Sequence, residues 1–365
     1  MNATVIVLSY NGARYLPACL DSLAGLPAQF QVLVVDNGSA DESAALARAA
    51  AGRVAVVENG ENLGFSGGMN RGMRLALGLE TLPGLALTPA DVVVLLNQDT
   101  RCLAGWPEAI LAPFDDPAVG AVGCKIYADD ERTILHVGAG LDAPRATTYH
   151  IGQGERDQGQ YPDVMPVQYA TGAALALRAS ALREVGLFDE HFSPAYMEEV
   201  DLCARLWRAG YRVVVNPAAA LIHYEGTSTP DPLLRAYWFN RGRLLYLVKH
   251  CEIAELAGAF AAAEHAFLGS VASPGLLRAI KRAYLDALLR MPDWLAARAA
   301  CQETPVSADE REQVLQIFAS LRDACVRGDA ALSARRGWPP GRRRAGSRRA
   351  APRSSASTAR ARPPH

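Results

Sequence analysis

The sequence predicts an α/β fold, with a mostly parallel central sheet flanked by helices and a C-terminal helical extension. Three observations predict it. Short runs of Val, Leu and Ile alternate with polar loops and helical spacing, at the pace of βαβ units. These runs stop abruptly in polar residues, as where Val92-Val93-Val94-Leu95-Leu96 meets Asn97-Gln98-Asp99-Thr100. After Pro232 the alternation ends and the pattern is helical to about residue 334. With 365 residues, 50% of them hydrophobic and 21% charged, the chain is long enough for one large core.

Residues 4–8 read as a strand, with Ser9-Tyr10-Asn11-Gly12 as its exit loop and helical spacing through Leu16, Cys19, Leu20 and Leu23. A second strand at 31–35 ends in Asp36-Asn37-Gly38-Ser39; a helix over about 41–51 and a short strand at 54–57 follow. The loop Glu58 to Gly68 leads into a helix through Met73 and Leu77. Beyond the strand at 92–96 come a helix around 104–114 and a strand over 120–126. The segment 127–166, rich in Gly, Asp, Pro and Thr, reads as hairpins or loops over the sheet, a lid. Residues 167–177 run into a helix at 179–185; another helix over 197–209 stops at Gly210, and strand-like stretches follow at 211–215 and 220–223. Tyr237, Trp238, Leu244, Leu245, Leu247 and Val248 begin the helical region, which continues in Ala-rich stretches at 253–265 and 275–300.

The net charge of -1 hides a division. Residues 335–365 hold ten arginines and no acidic residue, a composition that does not fold. The remainder carries 27 basic against 38 acidic residues, which argues against a nucleic-acid partner. Seven cysteines at irregular spacing form no CxxC pair, as suits reduced thiols in the cytoplasm. The chain starts without a basic region or a cleavable apolar segment, so no signal peptide is expected. No uncharged apolar run reaches the roughly 18–20 residues that cross a bilayer.

Five places could carry chemistry. Asp99 stands beyond a strand's carboxyl end, where open α/β sheets bind ligands; the alternative is that Asn97 and Asp99 only cap the following turn, as in most αβ units. Asp36 is placed to meet a base or ribose, or to close an Asx-turn. Asn62-Leu63-Gly64-Phe65-Ser66-Gly67-Gly68-Met69-Asn70 either offers backbone amides to a phosphate or is a tightly packed turn; it is neither a Walker A nor a dinucleotide fingerprint. Glu198, Glu199 and Asp201 open a helix, where acidic residues suit the dipole. Their mutual repulsion would also raise one pKa and create a general base. His223 ends an apolar stretch before a glycine loop, a place for a metal ligand or for a structural histidine.

Taken together, these segments resemble the family 2 glycosyltransferases of the GT-A fold, especially a bacterial rhamnosyltransferase-like branch, from about residue 3 to about 250. The resemblance is carried by Val7-Leu8-Ser9-Tyr10-Asn11, Val35-Asp36-Asn37-Gly38-Ser39, the 62–68 segment, Leu95-Leu96-Asn97-Gln98-Asp99-Thr100, Thr171-Gly172-Ala173, Gly186-Leu187-Phe188-Asp189-Glu190, Glu198-Glu199-Val200-Asp201-Leu202-Cys203 and His223-Tyr224-Glu225-Gly226, in that order. It implies a catalytic domain over 1–231, with a nucleotide-sugar half to about 126 and an acceptor half over 127–231. A helical region over 232–334 and a basic tail over 335–365 follow.

The resemblance also implies roles. Ser9, Tyr10, Asn11, Asp36, Asn62, Gly64, Gly67, Asn70, Asn97 and Gln98 would line the nucleotide-sugar site, and Thr171, Gly172 and Asp189 the acceptor side. Asp99, the last Asp of the family's DXD element, and His223 would hold a divalent cation, Mg²⁺ or Mn²⁺. Asn97 stands at that element's first position. Glu199 aligns with the catalytic base, usually Asp, with Glu198 and Asp201 as rivals. The implied reaction is inverting transfer of a sugar, L-rhamnose from dTDP-rhamnose, to a hydroxyl of a surface glycan or lipid-linked saccharide. A catalytically silent glycan- or nucleotide-binding protein and a nucleotidyltransferase are the alternatives. The expected location is the cytoplasm, with peripheral contact at the inner face of the membrane. Arg241, Arg243, Lys249 and His250, interleaved with Leu244 to Val248, would suit an interfacial helix or ordinary packing. Oligomeric state is not legible.

Overall fold

The computed structural model describes residues 1–50, 54–224 and 231–335. In the first half, β1 (Ala3–Ser9), α1 (Leu16–Leu23), β2 (Phe30–Asp36), α2 (Ser43–Ala49), β3 (Val54–Glu58), α3 (Gly64–Ala76) and β4 (Val92–Asn97) alternate as expected. β3, β2, β1 and β4 lie side by side and parallel. Helices cover both faces, so residues such as Ile6, Val7, Leu33, Val34, Val94 and Leu95 are all fully buried. Burial on both faces is why these strands read as unbroken apolar runs. The register sets Ser9 beside Asp36 and Leu8 beside Asn97, so three polar strand ends share one edge.

The glycine segment is not a loop. α3 starts at Gly64, inside it. A Cβ at Gly68 would sit 2.5 Å from Leu8 Cδ1, and one at Gly72 would sit 2.6 Å from Ile6 Cγ2. The glycines therefore let α3 lie directly on β1. Its first amides are already used: Leu63 donates to Asn37 Oδ1 (3.1 Å), Gly64 to Asn62 Oδ1 (2.8 Å) and Phe65 to the Pro194 carbonyl (2.7 Å). The packed-turn reading of this segment is the one the structure supports.

The second half contains β5 (Thr100–Cys102), α4 (Trp106–Leu111), β6 (Val119–Tyr127), β7 (Ile134–His136), β8 (Ala139–Asp142), β9 (Thr147–His150), β10 (Met165–Pro166), β11 (Ala174–Arg178), α5 (Ala179–Val185), α6 (Glu198–Arg208) and β12 (Arg212–His223). Here the largely parallel sheet takes in antiparallel strands. β11 runs antiparallel between β4 and β6, while β12 is parallel to β6, so the whole sheet is mixed. The chain leaves β6 at the carboxyl edge and re-enters β11 at that same edge. A parallel β11 would have needed a crossover back to the opposite edge, usually by a helix, and 128–173 contains no helix. β8 and β9 form the expected hairpin within this excursion. The two strand pieces expected at 211–215 and 220–223 are one strand, irregular between Asn216 and Ala220.

α7 (Pro232–His250), α8 (Ile253–Glu255), α9 (Ala261–Ser270), α10 (Pro274–Gln302) and α11 (Ala308–Arg335) complete the described chain. Leu244, Leu245, Trp294 and Phe318 belong to the same apolar cluster as Ile6, Leu33 and Leu95, so these helices share the core of the sheet. The interfacial reading of α7 is overturned, because Arg241, Arg243 and Lys249 are buried and paired within the protein. No helix among the described residues is long and apolar enough to cross a membrane. The Arg-rich tail beyond 335, and Glu225-Gly226-Thr227-Ser228 after His223, lie outside the described residues.

One buried ionic group ties these layers together. Arg243 on α7 approaches Glu264 on α9 at 2.6 Å, Arg145 of the β8–β9 turn approaches it at 2.7 Å, and Tyr284 on α10 donates to it at 3.0 Å. Replacing Glu264 with Ala would leave the fully buried Arg243 guanidinium without a carboxylate. Breaking such a pair costs about 3–5 kcal/mol. Urea unfolding followed by circular dichroism should show that loss for Glu264→Ala; a change within about 0.5 kcal/mol, as at an ordinary surface site, would contradict it.

Candidate active site

The aligned strand ends open into a cavity of about 990 Å³ whose lining includes Tyr10, Asn37, Asn62, Asn97, Asp99, Thr171, Gly172, Glu198, Glu199 and His223. That volume suits a ligand larger than a single sugar. On the β1–β4 side, Gln98 is locked to the exit loop: Tyr10 N–H donates to its Oε1 and its Nε2 donates to the Tyr10 carbonyl, both at 3.0 Å. Gly12 permits this, since any Cβ there would overlap the Gln98 amide. Asp36 accepts from Ser39 N–H at 3.0 Å, three residues on, so its side chain does close the loop locally, by a longer reach than the two-residue Asx-turn. Its other oxygen is buried with no partner among the described residues, so both readings of Asp36 keep physical support.

The antiparallel pairing of β12 with β5 sets His223 opposite Thr100. It brings His223 Nε2 to 3.2 Å from Asp99 Oδ1, and Tyr224 N–H donates to the Asp99 carbonyl at 2.9 Å. Residues distant in sequence thus meet at the cavity. No group of three or more His, Cys, Asp or Glu side chains able to hold a metal occurs among the described residues. One carboxylate and one imidazole make a mixed oxygen–nitrogen pair that suits an open site for a divalent cation such as Mn²⁺ better than Mg²⁺, which prefers oxygen donors alone. The donor set does not fit a closed structural metal site.

The three carboxyls opening α6 have three different environments. Burial would raise the Asp201 carboxyl, but Arg205 at 2.9 Å, Lys249 at 2.6 Å and His250 at 2.8 Å outweigh it and hold the group far below the ordinary aspartate range. Asp201 is absent from the cavity wall. Burial pushes Glu198 well up, and the neighbouring charge of Glu199 pushes it further; its Oε2 has no partner among the described residues. Glu199 is half-buried in the cavity wall, and burial raises its carboxyl against the opposing effect of backbone hydrogen bonds, including one from Gly172.

Residues 4–186, half of the chain, match the profile of glycosyl transferase family 2. The chain belongs to that family. Over 264 residues this family 2 chain is 31% identical to the N-acetylglucosaminyl-diphospho-decaprenol L-rhamnosyltransferase of Mycobacterium tuberculosis (strain ATCC 25618 / H37Rv), covering 67% of this chain and 83% of that protein. Over 253 residues it is 30% identical to the pre-mycofactocin glycosyltransferase of the same strain, covering 68% of this chain and 48% of that protein. The chain therefore spans about half the length of the latter relative. The crystal structure of GalNAc-T7 with UDP, GalNAc and Mn2+ shares the fold at a TM-score of 0.54 and 13% identity, covering 72% of this chain and 51% of that one. The fold is GT-A, and no single branch of the family dominates these relatives.

Of the residues expected at the site, Tyr10, Asn62, Gly64, Asn97, Gln98, Asp99, Thr171, Gly172, Glu198, Glu199 and His223 line the cavity. Ser9, Asn11, Asp36, Gly67, Asn70, Asp189 and Asp201 do not, and most of these have structural partners. Asn11 Oδ1 accepts from Ala40 N–H (2.8 Å). Asn70 bridges α3 to the Phe188 backbone (2.9 and 3.0 Å), and Asp189 is taken up by Lys249 (2.6 Å) and His191 N–H (2.9 Å). Asn11 and Asp189 are short polar side chains at loop positions that bond nearby backbone or a charged neighbour, whereas Asn70 and Asp201 turn inward from helices to distant partners.

The sequence reading missed Asn37, whose Oδ1 accepts from Asn59 Nδ2 (2.9 Å) and whose Nδ2 donates to Asn62 (3.0 Å); its signal was adjacency to Asp36. It also missed Thr148, His150 and Tyr169 from the hairpin region, and Arg235, Trp238, Phe239 and Asn240 from α7. No local pattern marks those positions.

Asp201 carries a stability prediction. Its folded-state pKa is depressed, so its contribution is complete above the ordinary value of 3.8 and is lost as pH falls through the lower folded value. The unfolding free-energy gap between the wild type and Asp201→Asn should be constant above about pH 5 and should narrow below 3.8. A gap unchanged down to strongly acidic pH would contradict the ion-pair assignment.

Proposed function

We propose that the chain transfers a sugar, with inversion at the anomeric carbon, from a nucleoside-diphosphate sugar to a hydroxyl of a glycan or lipid-linked acceptor. The observation that carries this reading is one cavity containing both the Asp99–His223 pair and a carboxyl, Glu199, whose pKa is raised toward the working range of a general base. The kinship to an L-rhamnosyltransferase supports L-rhamnose as the donor sugar, and the proposed carrier, dTDP, follows from the resemblance to that branch.

In this mechanism Tyr10, Asn37, Asn97 and Gln98 line the donor side, with the Gln98 amide fixed by its two bonds to the Tyr10 backbone. Asp99 and His223 would hold Mg²⁺ or Mn²⁺. When bound, the cation offsets charge on the departing diphosphate. Glu199 takes the proton of the acceptor hydroxyl as that oxygen bonds to the anomeric carbon and the bond from that carbon to the diphosphate breaks. Glu198, almost wholly buried, presents less of its carboxyl to the cavity than the half-buried Glu199. Thr171 and Gly172 flank Glu199 on the acceptor side.

Glu199→Gln should lower kcat by about 10²–10⁴-fold, the range of general-base catalysis, while nucleotide affinity measured by calorimetry stays within a few-fold. Turnover close to wild type would remove Glu199 from the mechanism. Because the base must be ionised, kcat should fall as pH drops through a value above 4.5, the ordinary value for Glu. A second measurement addresses the donor and the metal: thermal stabilisation by dTDP-, UDP- and GDP-sugars with and without Mn²⁺. The expected result is Mn²⁺-dependent preference for the dTDP sugar, lost in Asp99→Ala. Preference for another nucleotide would overturn rhamnose, and stabilisation indifferent to Mn²⁺ would overturn the cation site.

A further inference from the structure

We propose that α7 is the positioning element of the catalytic base: Arg241 and Gly242 hold the turn that presents Glu199 to the cavity. This rests on the reading of Glu199 as base. The family match stops at residue 186, so both the turn and its support lie beyond it.

The turn itself is strained. Tyr196 and Met197, immediately before α6, have φ of +81° and +79°, in the left-handed region that residues with a side chain rarely occupy. Such backbone persists only where surrounding structure over-determines it. Here the strain has a consequence for the site: α6 begins directly after it, so Glu198 and Glu199 are its first two residues. If Tyr196 and Met197 relaxed to negative φ, the first turn of α6 and both carboxyls would be re-aimed.

What over-determines the turn comes from α7. A Cβ on Gly242 would overlap the Tyr196 carbonyl oxygen and lie 3.2 Å from Met197 Cβ. Only glycine lets the helix backbone approach the turn this closely. Next to it, the buried Arg241 guanidinium donates to the carbonyls of His191 (2.8 Å), Phe192 (3.3 Å) and Ser193 (2.5 Å), gathering the strand of chain that enters the turn. Asp286 on α10 lies 3.3 Å from Arg241 Nε and fixes the guanidinium from behind. Two turns further along α7, Lys249 bonds Asp189 before the turn and Asp201 after it, each at 2.6 Å. One helix thus grips the segment 189–201 on both flanks and at its strained centre.

The same helix supplies Trp238, Phe239 and Asn240 to the cavity wall. Packing alone would explain a helix lying against the loop. It does not explain a glycine placed against the strained carbonyl and an arginine whose donors converge on three successive carbonyls.

The test uses the full chain with Gly242→Ala and, in parallel, Arg241→Lys, which keeps the charge but cannot span three carbonyls. Both are expected to lower kcat at least ten-fold while donor KM and nucleoside-diphosphate affinity change less than two-fold. Equal losses in kcat and nucleotide affinity, or unchanged kcat in both variants, would overturn the proposal. Glu199→Gln serves as the control. If it is inactive while Gly242→Ala is fully active, positioning by α7 fails and the base assignment stands; if Glu199→Gln is itself active, the base assignment fails first. Should neither α7 variant fold, hydrogen exchange on the wild type decides. Amides of 196–199 exchanging in step with α7 support the clamp, and faster, independent exchange there overturns it.

Discussion

Backbone hydrogen bonds between β1, β2 and β4 set Ser9 beside Asp36 and Leu8 beside Asn97, so the strands stop along one line. Everything at the site depends on that register. A slip of one residue would turn each strand end to the opposite face and carry Asp36, Asn97 and Asp99 away from a common opening. The constraint is strongly held because the strands are buried on both sides, where a slip would expose Val and Leu to polar loops. The antiparallel entry of β11 adds Thr171 and Gly172 to the same edge, and the pairing of β12 with β5 brings His223 to Asp99.

Three carboxyls within four residues of α6 show how partners, rather than residue type, assign chemistry. Asp201 faces Arg205, Lys249 and His250 and is held ionised, a structural anchor. Glu198 is buried, and burial with its neighbour's charge pushes its carboxyl well up. Glu199 lies between these extremes, raised by burial yet open to the cavity. A carboxyl ionises readily only where the surroundings replace the water it loses, and only the Asp201 site does so fully.

The C-terminal helices belong to the same body as the sheet. Arg243, Arg145, Tyr284 and Glu264 join α7, the β8–β9 turn, α9 and α10 in one buried network. The hairpin that bears Thr148 and His150 is thereby tied to helices more than a hundred residues away in sequence. The helical extension therefore forms part of the cavity wall as well as supporting it.

The sequence by itself determined the order of the elements, the strand ends that carry Asp36 and Asp99, and the family, because double-sided burial and polar strand ends leave direct traces in residue order. It also contained an unread signal: the lack of a crossover helix over 128–173, which favours an antiparallel β11. Only the tertiary structure decided that the glycine segment is a packed helix start, that Asp189 and Asp201 are anchors, and that α7 reaches the cavity. Those outcomes depend on which distant groups come within about 3 Å, the reach of a hydrogen bond or ion pair. Lys249 meets Asp201, and Gly242 meets the Tyr196 carbonyl, only because the sheet and its helices share one core. Local periodicity contains no record of such meetings.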